Sequence, residues 1–141
     1  MTKSLATYIA LPGNTAEAFR HWHEVFGGEL NLLTYSETQL EGMPFTPDPD
    51  AVAHVTLELP GGHLAGGDQM PGEAASPVEG TCYSLLYNVD TPDEARELID
   101  KLVAGGGEVN MPFDQAPWGD WYGQVFDRFR VMWAFNVPAA K

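Results

Sequence analysis

A single cysteine, Cys82, stands in 141 residues. No internal disulfide can form, which fits a reducing compartment. Basic residues are scarce as well: seven Lys and Arg against twenty Asp and Glu, a formal net charge of −13. Nucleic-acid binding rests on basic side chains that neutralise phosphates, so this balance argues against it. It suits a neutral or cationic ligand, or simply an acidic surface that keeps the protein soluble. No apolar run approaches the roughly 18 residues of a membrane helix. Near the N-terminus Tyr8, Pro12 and Gly13 interrupt the apolar stretch. Neither a secretory signal nor a membrane partner is expected, and the cytoplasm is the default compartment. A G-x-G-x-x-G fingerprint is missing, and the chain is too short for a separate nucleotide-binding domain. Ser84 lacks the flanking glycines of a nucleophile elbow, so serine catalysis has no support.

What is present is a core and a repeat. Apolar residues make up 44% of the chain and aromatics 11%, enough for one compact domain or two small modules. Gly27-Gly28-Glu29-Leu30-Asn31 returns as Gly106-Gly107-Glu108-Val109-Asn110. Upstream of each copy lies a helix-opening signal, Asn14-Thr15-Ala16-Glu17 and Thr91-Pro92-Asp93-Glu94. Both read as capping boxes, in which the Asn or Thr side chain accepts from a backbone N–H three residues on. Pro92 at the first helical turn presets φ and loses only an N–H without an intrahelical partner. A short apolar stretch precedes each box. The pattern predicts two copies of one unit of roughly seventy residues.

The first helix is predicted over Thr15–Phe26, where Ala18, Phe19, Trp22, Val25 and Phe26 recur at helical spacing. The second spans Pro92–Ala104, with Ala95, Leu98, Ile99 and Leu102 on one side. Strands are expected at 5–11, 30–35, 51–59, 63–68, 82–89, 108–111, 121–127 and 131–137. A loop with Pro44, Pro47 and Pro49 interrupts the first copy, and a linker of 69–80 separates modules at about 1–68 and 81–141. The result is a tandem βαβββ arrangement of class α+β. Its mixed, curved sheets are each covered by a helix on one face, with the other face exposed or lining a cavity.

That unit resembles the vicinal oxygen chelate superfamily of glyoxalases, bleomycin-resistance proteins and dioxygenases, and within it the PhnB-like branch. Three stretches carry the likeness: Tyr8 to Phe19 running on to Gly28, Ala53 to Glu58, and Trp118-Gly119-Asp120-Trp121-Tyr122-Gly123 followed by Asp127 and Trp133. One departure stands out. Asp127-Arg128-Phe129-Arg130 replaces the usual Asp-Pro-Phe-Gly turn, so a remodelled turn is expected. The resemblance implies a homodimer, and edge strands give a physical motive for it. It leaves open whether the modules pair within one chain or exchange between chains. In metal-using members, side chains from several strands hold one divalent ion. Carried onto this chain, those positions fall on Thr7, Ser84, Ala134 and Asp68. Of these only Asp68 is a good ligand type, and the neighbours Tyr8, Tyr83, Leu85 and Trp133 are no better. A cavity without cofactor that binds a small organic ligand is therefore expected, with sequestration of a cationic compound as a subcase.

The alternative is a divalent-metal-dependent glyoxalase- or dioxygenase-type enzyme using His54 and Asp68, with Glu58 in support. A three-residue hairpin loop, Pro60–Gly62, would set His54 opposite Asp68 and make a His–Asp pair suited to a general base. A two-residue loop would bring Gln69 there instead. The other role open to His54 is a structural hydrogen bond. The expected ligand contacts are His54, Glu58, Asp68, Trp118, Trp121 and Tyr122. The aromatic loop reads equally as a lid that stacks on a ligand and as a plug for the core or a partner. Trp22, Phe26 and Trp133 are read as core. His23 and His63 are expected on the surface, and Cys82 is expected to be buried and structural.

Overall fold

Both helices form where their apolar spacing places them, α1 over Thr15–Phe26 and α2 over Pro92–Ala104. The structure, a computed structural model, describes residues 5–37, 50–69 and 81–139. The loop with Pro44, Pro47 and Pro49, and the linker beyond Gln69, lie outside them. Around α1 run β1 (Thr7–Leu11), β2 (Glu29–Thr34), β3 (Val52–Leu59) and β4 (Gly62–Asp68). Around α2 run β5 (Leu85–Asn88), β6 (Glu108–Gln115), β7 (Trp121–Phe126) and β8 (Met132–Val137). The chain divides into two compact units, one holding β1–β4 with α1 and the other β5–β8 with α2.

Each unit is a four-stranded mixed sheet, ordered β1-β4-β3-β2 in the first and β5-β8-β7-β6 in the second. β1 runs parallel to β4 and β5 to β8, while the other pairs are antiparallel. A parallel pair needs a crossover connection, and the helix supplies it in both copies. The βαβββ order and the α+β class read from the sequence are therefore those of the molecule. β5 is shorter than expected, leaving Cys82 ahead of it. β6 runs on to Gln115 through Pro112, which an edge strand tolerates because its outward N–H side has no ladder partner. Register shifts at Val109/Met111 and Met111/Asp114 accompany that proline.

One face of each sheet packs on its own helix. Phe19 and Trp22 are fully buried, their rings meeting edge to face at 4.8 Å. Phe19 settles on Gly66, where an added Cβ would lie 3.0 Å from Phe19 Cε1 and collide with the Ile9 carbonyl oxygen. Gly66→Ala is therefore expected to cost about 2 kcal/mol by overpacking. In urea melts the midpoint should fall at unchanged slope.

The two helix starts differ. Thr91 Oγ1 accepts from the Glu94 N–H at 3.2 Å, as its capping box requires. The Asn14 side chain makes no cap bond. Asp68 takes over, its Oδ1 accepting from the Thr15 N–H at 3.1 Å. Buried Thr15 donates through Oγ1 to the Gly67 carbonyl and accepts from the Leu11 N–H.

Asp127-Arg128-Phe129-Arg130 forms a compact turn. Arg130 N–H donates to the Asp127 carbonyl at 3.0 Å, closing it. Arg130 takes up the left-handed conformation, φ 64°, that a glycine would hold more cheaply. Fully buried Asp127 anchors it: Oδ1 accepts from Phe129 N–H and Val131 N–H, Oδ2 from Trp133 Nε1–H.

Candidate functional site

Strand alternation decides what each sheet presents on the face away from its helix. In the first unit Val55 and Leu57 are buried toward α1, whereas His54 and Glu58 are exposed. Along the ladder, Tyr8, Ala65, Thr56 and Asn31 form one row of this open face. Leu33 lies beside His54, and Glu29 lies beside Glu58. Gly67 carries the same sign: an added Cβ would point at the Tyr8 hydroxyl, 2.9 Å away. The Tyr8 ring therefore leans across the sheet over a residue with no side chain, and it remains 62% exposed.

The expected pairing of His54 with Asp68 is not made. The hairpin loop is the two residues Pro60 and Gly61, since Leu59 pairs with Gly62 and Val55 with Gly66. Continuing that register sets His54 opposite Gly67, so neither Asp68 nor Gln69 faces it. Asp68 is instead committed to the backbone. Its Oδ2 accepts from Val52 N–H at 2.8 Å while Oδ1 holds Thr15 N–H. The positions that the resemblance assigns to metal ligands present other groups on this face. β1 turns Tyr8 rather than Thr7 to the open face, β5 presents Leu86, and β8 presents Ala134. A phenol and two aliphatic side chains, with a carboxylate already bonded through both oxygens, do not fit a divalent ion. Among the described residues no three His, Cys, Asp or Glu side chains converge as a metal set.

In the second unit the open face carries a ladder of amides that the sequence did not single out. Asn110 Nδ2 donates to Gln124 Oε1 at 2.7 Å, and Gln124 Nε2 donates to the Tyr122 hydroxyl at 3.0 Å. Asn136 Nδ2 donates to Asn88 Oδ1 at 3.0 Å. The available signal was single amides set among apolar, aromatic or glycine neighbours, at Asn88, Asn110, Gln124 and Asn136. Trp121 and Tyr122 part company here, because neighbours in a strand point to opposite faces. Tyr122 joins the amides. Trp121 stacks on Phe113 at 5.7 Å, on the side of α2, with the Arg96 guanidinium 5.0 Å above its ring. The segment before them is a tight turn, closed by the bond from Ala116 N–H to the Asp120 carbonyl. Trp118 stands exposed at its tip. The aromatic cluster read from the sequence is thus dispersed over two faces and a turn.

Other expectations fall on both sides. His21 is buried, and His63 is half-exposed at the hairpin. His23 is half-buried rather than solvated. Trp22 and Trp133 are core. Burial, reinforced by the Glu94 charge, raises the Tyr87 phenol above its ordinary value. The fold thus favours the neutral phenol, a contribution present below the ordinary tyrosine range and lost as pH rises through the folded value. Cys82 is exposed, not buried. Its thiol is expected to react with a disulfide reagent such as DTNB in native protein, releasing one equivalent as fast as in urea. A reaction that waits for unfolding would place the thiol inside.

The comparisons agree with this architecture. Residues 5–135 match the Glyoxalase/Bleomycin resistance protein/Dioxygenase superfamily model. Protein YjdN of Escherichia coli (strain K12) is 28% identical over 144 aligned positions, which cover 94% of each chain. Protein PA1353 from Pseudomonas aeruginosa superposes with a TM-score of 0.83 at 30% identity, over 99% of this chain and 100% of its own. A PhnB protein from Bacillus cereus shares the fold at a TM-score of 0.71 and 19% identity, over 96% of this chain and 100% of its own. No helix among the described residues is long and apolar enough to cross a membrane. With nearly the whole length matched and both βαβββ units in place, this chain belongs to the Glyoxalase/Bleomycin resistance protein/Dioxygenase superfamily.

Proposed function

We propose that this protein binds a small organic molecule on its open sheet faces, without a metal ion. One observation carries the reading. Each helix seals only one face of its sheet, and the opposite faces hold exposed recognition groups rather than a uniform polar surface. These are Tyr8 and His54 in the first unit and the Asn110–Gln124–Tyr122 chain in the second. Aromatic and apolar area with a few placed polar atoms is the make-up of small-molecule sites. The net charge of −13 makes a cationic compound the preferred subcase. Thermal-shift screening against chemically diverse ligands, cationic antibiotics included, tests it: a bound ligand raises the midpoint by mass action. A panel that moves nothing would count against the reading.

The metal-dependent alternative needs His54 and Asp68 as ligands, and it is disfavoured by the two backbone bonds that occupy Asp68. Elemental analysis of the purified protein, before and after loading with zinc, nickel, manganese or iron(II), separates the two. Absence of a retained ion after loading is expected; one tightly held ion per chain would restore the enzyme reading. Among the described residues β1, β2, β5 and β6 are the outer strands of their sheets, which supports a homodimer as part of the same proposal. Light scattering coupled to size exclusion should give twice the chain mass.

A further inference from the structure

Methionine sulfur is soft and oxidisable, and its reactivity depends on what stands beside it. Two methionines lie among the described residues, Met111 on β6 and Met132 at the start of β8. Met111 is the more exposed, at 45%, whereas Met132 is half-buried. The hydrogen-bond donor is at Met132, where Asn110 Nδ2 lies 3.9 Å from the sulfur. Among the described residues Met111 has no such donor. Neighbouring groups dictate how Asn110 is turned. The Tyr122 hydroxyl takes the Gln124 Nε2–H, so Gln124 presents its oxygen to Asn110. Asn110 must answer with its nitrogen, whose two hydrogens serve the Gln124 oxygen and the Met132 sulfur. Asn110 is itself exposed, so solvent reaches the donor and the sulfur beside it. The first unit has no counterpart: His63 stands at the place of Met132, and Thr56 at that of Gln124.

We propose that Met132 is a reversible oxidation site, at which a peroxide delivers oxygen to the sulfur on the side of Asn110. A sulfur lone pair attacks one peroxide oxygen, the S–O bond forms and the O–O bond breaks. Sulfur loses two electrons and becomes the sulfoxide. The leaving hydroxide takes the proton of the transferred oxygen and departs as water. An oxygen added on that side of the sulfur comes within hydrogen-bond reach of Asn110 Nδ2. The donor therefore stabilises the S–O dipole as it grows. Oxidation makes the sulfur a stereocentre, and only one epimer places its oxygen there. The product ends the Asn110–Gln124–Tyr122 chain in a fixed dipole, where the reduced protein has an apolar group. Methionine sulfoxide reductases, one for each epimer, return the thioether. The chemistry needs no bound ligand.

Timed reaction of the native protein with hydrogen peroxide, quenched, digested with trypsin and read by mass spectrometry, tests this. Trypsin cuts after Lys101, Arg128 and Arg130, so residues 102–128 carry Met111 as their one methionine and residues 131–141 carry Met132. Fragment ions separate Met132 from Trp133. Met132 is expected to gain oxygen about fivefold faster than Met111 despite its lower exposure, the effect of one net hydrogen bond. One of the two epimer-specific reductases should then remove nearly all of it. Asn110→Ala sets donor against access, because it uncovers the sulfur and removes the N–H. Oxidation of Met132 about fivefold slower than in the parent is expected, with a product that each reductase clears only in part. Asn110→Asp, which replaces the donor by an acceptor, should behave alike. Asn110 is exposed, so both variants are expected to fold, with circular dichroism as the check. Faster oxidation of Met132 in either variant would overturn the proposal. So would a parent in which Met111 reacts first, or one whose Met132 sulfoxide is an even mixture of epimers.

Discussion

Asp127→Ala is expected to lower the melting temperature by roughly 10–15 °C. The carboxylate is fully buried and accepts three hydrogen bonds, from Phe129 N–H, Val131 N–H and Trp133 Nε1–H. Truncation leaves these donors facing a small cavity with no acceptor. Leaving a buried donor unsatisfied costs about 1–3 kcal/mol, and allowing for partial relaxation the sum is about 4 kcal/mol. That is a large share of a typical domain's stability. Asp127→Asn separates charge from geometry. Its carbonyl oxygen can serve the two backbone donors, but its NH2 then meets the Trp133 N–H, donor against donor. About half the loss is expected, together with a changed near-ultraviolet circular dichroism band from Trp133. A midpoint within about 2 °C of the parent for Asp127→Ala would mean that the turn is held by something other than this carboxylate.

The second large effect is at Asp68, where Asp68→Ala is expected to cost about 3 kcal/mol. One side chain joins three elements: it ends β4, caps the first turn of α1 through Thr15 N–H, and holds the start of β3 through Val52 N–H. A carboxylate at a helix N-terminus gains further from the helix dipole. Asp68→Asn can satisfy one of the two backbone donors and should lose about 2 kcal/mol. Metal loading provides the contrast. If Asp68 were a ligand, Asp68→Asn would shed a bound ion and leave the melting temperature of metal-free protein unchanged. If it is a clamp, chelator-treated parent and variant must differ in stability by the amount stated. Chemical denaturation in the presence of EDTA reads the difference.

Much of the architecture was legible beforehand, and the reason is local. Amphipathic spacing, Pro92, and the glycines after Phe26 and Ala104 are short-range signals, and both helices have the bounds they announced. The repeat of Gly-Gly-Glu-x-Asn located the second unit, because copies of one supersecondary unit repeat their punctuation. The alternation of β3 put Val55 and Leu57 on one face and His54 and Glu58 on the other. Strand ends were less legible. The strand expected at 108–111 is shorter than β6, which passes through Pro112 because an edge strand has no outward ladder bond to lose.

The candidate site was legible only as a list of residues, because its contacts depend on register. One residue of hairpin loop separates a His54–Asp68 pair from a His54 beside Gly67. Trp121 and Tyr122 are neighbours in the chain and lie on opposite sides of the sheet. The bonded amides of the second unit join residues 14 and 48 positions apart, and no local pattern couples them.

By itself the sequence determined the two helices, the order of strands around them, the repeat and the acidic balance. These follow from propensity, periodicity and composition, which act over a few residues at a time. Only the tertiary structure decided who caps α1. Asn14 is adjacent and does not; Asp68 is 53 positions from Thr15 and does. It also decided that Arg130 holds a left-handed turn without glycine, since Asp127 and Trp133 fix the backbone around it. And it decided that the Tyr8 hydroxyl end lies over Gly67, on a face whose counterpart in the second unit carries two bonded amides. The physical reason is the same in each case. A hydrogen-bond donor or an exposed ring takes whichever partner the fold brings within about 3 Å, and proximity in space is set by sheet register rather than by distance along the chain.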